Sequence, residues 1–114
     1  MSQNLELPSY NNISAEQMAA KIGLNVKHIP ILVQSFTDES RIIIEQMETA
    51  INTKDHNEIS NAAHSIKGSA GNLKFDEIYE LAKEVELSAK AGKEDYPYGE
   101  ACMSLKKSIE SISL

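Results

Sequence analysis

Asn61-Ala62-Ala63-His64-Ser65-Ile66-Lys67-Gly68-Ser69-Ala70-Gly71-Asn72-Leu73 is the stretch from which both the architecture and the chemistry can be read. With Ile59 as the origin and about 100° per residue, Ile59, Ala62, Ala63, Ile66, Ala70 and Leu73 fall within about 60° of one direction. That is the apolar stripe of a helix packed against other helices. His64, Gly68, Gly71 and Lys67, at about 140°, 180°, 120° and 80°, are predicted to share the outward face. A glycine inside a helix lowers its stability by roughly 1 kcal/mol relative to alanine, so Gly68 and Gly71 need a reason beyond secondary structure. Gly68 stands at i+4 from His64 and Gly71 three residues further on, which leaves a bare strip where another macromolecule's backbone can approach. Lys67, at i+3, reaches toward anything attached to the imidazole, and an anion is its natural companion. Residues 59–75 contain no carboxylate but carry Lys67 and Lys74, which favours anion handling in the same place.

Outward from this stretch the helical signal is almost continuous. Asp55 with Glu58 reads as a cap ahead of the site helix, after a short connection of Thr53, Lys54 and Asp55. Upstream, Asn25 caps a long helix in which Ile29, Leu32, Val33, Phe36, Ile43, Met47, Ala50 and Ile51 recur at spacings of three and four, with Pro30 near its start. Before it, Ser14 with Gln17 opens a short helix over about 15–22 that stops at Gly23. Downstream, Ile78, Leu81, Ala82, Val85 and Ala89 mark a helix over about 76–91 that ends ahead of Gly92. Asp95 or a neighbour is expected to cap the last helix, with Pro97 in its first turn and Tyr98, Cys102, Leu105, Ile109 and Ile112 as its stripe. No segment alternates with period two. The expected fold is all-α: an antiparallel up-and-down four-helix bundle over residues 13–114 with a short extra N-terminal helix, preceded by a flexible segment over 1–12.

Composition narrows the function. The 114 residues fit one domain, and 17 carboxylates against 11 Lys and Arg give a net charge of −6. This is the wrong sign for a nucleic-acid footprint or for attachment to an anionic membrane. The longest apolar run, Ile42-Ile43-Ile44, is far short of a membrane span. The single Cys102 lies in an apolar stripe, as a buried thiol would. The residues three before His28, His56 and His64 are Asn25, Thr53 and Asn61, so the Glu-x-x-His pattern of di-metal bundles is absent. No Gly-rich Walker loop is present either, so no nucleotide binding and no kinase activity are expected. The acidic run Asp76, Glu77, Glu80, Glu84 and Glu86 is expected to be a solvated face.

The run AAHSIKGSAGNL, residues 62–73, resembles the signature of histidine-containing phosphotransfer (HPt) domains, an Ala-His pair followed by x-hydrophobic-Lys-Gly-Ser and, after three residues, Leu. The resemblance extends from about Leu24 to Ile112: Leu32 and Phe36 resemble the family's first long helix, and Leu81 with Val85-Glu86 the helix after the site. It implies that His64 accepts a phosphoryl group, that Lys67 stabilises it, and that Gly68 and Gly71 admit the partner. The chain departs from the pattern at Lys74, where the family commonly has Gly, which bears on the local turn.

The implied activity is reversible shuttling between receiver domains in a multistep histidine–aspartate phosphorelay; a non-catalytic adaptor that binds receivers is the competing reading. The docking surface is expected around Ser60, Asn61, Lys67, Gly68 and Gly71. Receiver domains of response regulators or of a hybrid kinase are the expected partners, and they supply the divalent metal. The protein itself is expected to need no cofactor or metal, and to be a free-standing cytoplasmic monomer.

Overall fold

The computed structural model describes residues 5–114. Helix α1 spans Ala15–Ile22 and a 3₁₀ turn spans Val26–His28, followed by α2 (Ile29–Asn52), α3 (His56–Asn72), α4 (Asp76–Lys90) and α5 (Tyr98–Glu110). The four long helices pack as a ring, α2 on α3, α3 on α4, α4 on α5 and α5 on α2, with the closest association between α3 and α4. This is the antiparallel up-and-down four-helix bundle, with α1 as the short extra helix.

Local sequence sets most of the boundaries. The Ser14 side chain accepts from the Gln17 N–H and starts α1, and Gly23 ends it in the left-handed region at φ 73°. Asn25 caps the 3₁₀ turn rather than α2 itself, because Pro30 occupies the first turn of α2 and displaces the regular start to Ile29. Asp55 accepts from the Glu58 N–H at the start of α3. The last helix differs from expectation: Pro97 is its N-terminal flanking residue, no side chain caps it, and Asp95 has no part in it. The 93–97 loop is held otherwise, by Tyr98 Oη donating to the Lys93 carbonyl at 2.6 Å and by Tyr96 Oη donating to Glu84.

The core runs the length of the bundle through Phe36, Ile44, Met47, Ile59, Ala63, Ile66, Phe75, Ile78, Val85, Leu105 and Ile109, all buried. Cys102 is buried among them, and burial pushes its thiol up to about 11. At one end Phe75 stacks on Phe36, ring centroids 5.3 Å apart, and takes the edge of Tyr10 at 5.0 Å. Residues 1–4 of the expected flexible segment lie outside the described residues. From Leu5 to Asn12 the chain is non-helical, with Leu5, Leu7 and Tyr10 resting on the core. Ser108 Oγ donates to the Pro8 carbonyl at 2.8 Å, Ser113 N–H to Tyr10 at 3.0 Å and Ile13 N–H to Ser113 at 2.8 Å, which ties this segment to the end of α5.

The turns after α2, α3 and α4 share one device. Lys54, Lys74 and Gly92 take φ of 56°, 63° and 68°, and the next residue's N–H reaches back five positions to close the helix: Asp55 to Ala50, Phe75 to Ala70, Lys93 to Ser88. The departure at Lys74 therefore leaves the turn in the left-handed geometry that glycine favours. Only the residue type is costly, because a Cβ crowds the carbonyl there. Lys74→Gly is expected to raise stability by about 1 kcal/mol in urea unfolding, after allowance for the freer unfolded chain. A loss of stability would show that the lysine side chain contributes more than its backbone conformation costs.

Candidate functional site

His64 lies midway along α3, with its side chain 66% exposed at the seam with α4. Two elements fix its position. Ala62, Ala63 and Ile66, all buried, seat the helix on the core, and the ring then projects over α4. There Glu86 waits: its side chain is only 3% exposed, and its Oε2 lies 2.8 Å from His64 Nδ1. A carboxylate only accepts, so Nδ1 carries a proton and donates it, and in the neutral ring this leaves the lone pair on Nε2.

Glu86 is held by three cationic or donor groups. Lys67 Nζ approaches Oε1 at 2.7 Å, and Lys90 Nζ, from i+4 on the same helix, approaches Oε2 at 3.5 Å. Burial pushes the Glu86 carboxyl up, but the contacts from Lys67 and His64 outweigh it and hold the carboxyl below the usual value of 4.5. Contact with Glu86 correspondingly raises the Lys67 ammonium. Burial of this charge is tolerable because it is paired.

The position of α4 redraws the exposed face of α3. Lys67 and Gly71 lie on the flank that α4 covers: Lys67 is half-buried against Glu86, and a Cβ on Gly71 would meet the Tyr79 ring at 3.4 Å. Ser60, at about 100° on the wheel, is buried at 5% and does not belong to the exposed docking face expected for it. Asn61, His64, Ser65, Gly68 and Asn72 are exposed and form the open strip. A Cβ on Gly68 would meet nothing within 4 Å, so no contact among the described residues requires a glycine there.

Glu86 itself overturns the expectation of a uniformly solvated acidic face. Asp76, Glu77 and Glu80 are exposed; Glu84 is half-buried and bonded by Tyr96; Glu86 is buried. Lys90 and Tyr79 were equally unforeseen as neighbours of the site. The available signal was faint: Glu86 lies about 80° from Ile78 on the α4 wheel, beside the apolar stripe. No group of three or more His, Cys, Asp or Glu that could hold a metal ion occurs among the described residues, and no described helix is long and apolar enough to cross a membrane.

Comparison with known families places the chain. The family model described as Hpt domain matches residues 31–112, which takes in all four long helices except the first two residues of α2. No curated protein and no solved structure gives a significant match.

The depressed Glu86 carboxyl makes stability depend on acid. Above 4.5 the carboxyl is ionised in both states and its full contribution is present. As pH falls below that value, the unfolded chain takes up the proton first and stability is lost, until the folded carboxyl is protonated too. The stability difference between wild type and Glu86→Gln, measured by urea unfolding, is expected to shrink from about pH 6 to about pH 3. A difference independent of pH would mean that the carboxylate's charge contributes nothing to the fold.

Proposed function

We propose, for a chain that belongs to the Hpt domain family, that His64 takes a phosphoryl group from an aspartyl phosphate of a receiver domain and passes it to the aspartate of another. The observation that carries this reading is the 2.8 Å contact of His64 Nδ1 with buried Glu86 while the ring stays 66% exposed. The nucleophile is then one nitrogen, Nε2, held in one tautomer and aimed away from the bundle. Its lone pair forms the N–P bond as the P–O bond to aspartate breaks, and the electron pair leaves on the carboxylate. The ring becomes positive as the bond forms, and Glu86, already accepting from Nδ1, stabilises that charge without moving. The return step is the same path reversed.

The rest of the chemistry belongs to the receiver, including the divalent metal that neutralises the phosphoryl oxygens in flight. The chain acts as a phosphoryl carrier without kinase activity, as a monomer in the cytoplasm beside its receivers. Positive charge next to the ring comes from Lys67 and Lys90, both gathered on Glu86. Gly68 and Asn61 supply the approach surface. Gly68 suits it because the open space over its Cα is left for the partner's backbone.

Two experiments test this reading. A phosphorylated receiver mixed with the wild type is expected to leave an acid-labile, alkali-stable label, absent from His64→Gln. Label on both would move the acceptor to a residue other than His64, and binding without label on either would leave the adaptor reading. At Gly68 the expectations for fold and function separate: Gly68→Ala should raise stability by up to about 1 kcal/mol, whereas Gly68→Gln should keep the helical circular dichroism and slow transfer severely. Transfer at wild-type rate in Gly68→Gln would show that nothing approaches there.

A further inference from the structure

Two ammonium groups share Glu86, and they are not equally free to leave it. Lys67 Nζ is 2.7 Å from Oε1, its side chain is 24% exposed, and among the described residues Oε1 has no other partner. Were Lys67 to swing toward a phosphoryl group, a buried carboxylate oxygen would be stripped of its only counter-charge. Lys90 Nζ is 3.5 Å from Oε2, its side chain is 64% exposed, and Oε2 already receives the Nδ1 proton at 2.8 Å. Its departure strips nothing.

Direction allows Lys90 to reach the ring. Helices α3 and α4 run antiparallel, with Gly71 beside Tyr79 and His64 beside Glu86, so Lys90 lies one turn further toward the N-terminal end of α3. Side chains lean toward the N-terminus of their own helix. His64 therefore leans toward the level of Lys90, and Lys90 leans back toward Glu86 and the imidazole.

We propose that Lys90, rather than Lys67, is the ammonium that meets the phosphoryl group on His64, while Lys67 remains on Glu86. This rests on the reading of His64 as the phosphoryl acceptor. Lys90 keeps its proton throughout and forms an ion pair with the phosphoryl oxygens; the bonds made and broken are those at Nε2 and phosphorus. Lys67 acts through Glu86 as a positioning residue, keeping the carboxylate ionised and the imidazole in its tautomer.

The test uses the whole chain with phosphoramidate as a partner-free phosphoryl donor, and compares wild type, Lys90→Met, Lys90→Arg and Lys67→Met. Lys90→Met is expected to melt with the wild type and to lose roughly tenfold in labelling rate or in phosphohistidine lifetime, which corresponds to about 1.4 kcal/mol. In the same variant the ³¹P resonance of the phosphohistidine should titrate at higher pH, since a neighbouring cation favours the more highly charged phosphoryl form. Lys90→Arg should restore both. Lys67→Met should melt lower. Lys90→Met matching wild type in rate, lifetime and ³¹P titration would overturn the proposal, as would Lys67→Met showing these losses with its melting unchanged. Failure of the wild type itself to take label would instead bring down the His64 reading, and this proposal with it.

Discussion

One carboxylate in the wall of the bundle, Glu86, is the constraint to which the site answers. A charge with 3% of its side chain exposed is costly unless paired. Its pairing draws together residues from two helices: His64 and Lys67 from α3, Lys90 from α4. The pairing fixes how α3 and α4 slide past one another, because only one register brings Lys67 to Oε1 and Nδ1 to Oε2 together. It also fixes the imidazole. Nε2 is therefore presented to solvent in a defined direction by a group that is itself out of reach of solvent, and the proposed acceptor atom inherits the rigidity of the core.

The two helix glycines, alike on the wheel, do different work. Gly71 lies beside the Tyr79 ring, at a distance where a methyl would make ordinary contact, so it belongs to the α3–α4 interface, which does not itself require a glycine there. Gly68 has open space above it. An exposed glycine in the interior of a helix is unfavourable relative to alanine, and at Gly68 no contact among the described residues offsets that. On the proposed reading the compensation lies in the partner's approach to the exposed strip of Asn61, Ser65, Gly68 and Asn72 bordering His64.

Much of this was legible in one dimension. Apolar spacing located every helix, and the caps at Ser14 and Asp55 and the stop at Gly23 are local chemistry that the chain carries with it. His64, Lys67 and Gly68 stood out because glycine and lysine at i+4 and i+3 from a histidine form a pattern within one helix. What escaped depends on a second helix. Ser60 and Gly71 looked exposed because a wheel shows the apolar stripe but not how far a neighbour wraps around it. Glu86 looked solvated because its partners lie about twenty residues upstream and cannot be seen along α4. The start of α5 escaped for another reason: Tyr98 and Tyr96 hold the 93–97 loop by hydroxyl bonds, and no cap is needed.

The charge balance of the site also explains why a carrier would tolerate an acid there. Residues 59–75 carry no carboxylate, which by itself suggests a purely attractive surface for an anion. Glu86 supplies the missing acid from α4, so that with Lys67 and Lys90 the cluster carries a net charge near +1. A group that both accepts and releases phosphate, as proposed for His64, gains from this moderation. Two unopposed lysines would hold a phosphoryl dianion more tightly than the free imidazole needs, and every increment of that affinity would slow the return step. On the proposed reading, Glu86 stabilises the positive ring through Nδ1 while repelling the phosphoryl oxygens beyond it, so the same carboxylate that prepares the nucleophile keeps the product from becoming a trap.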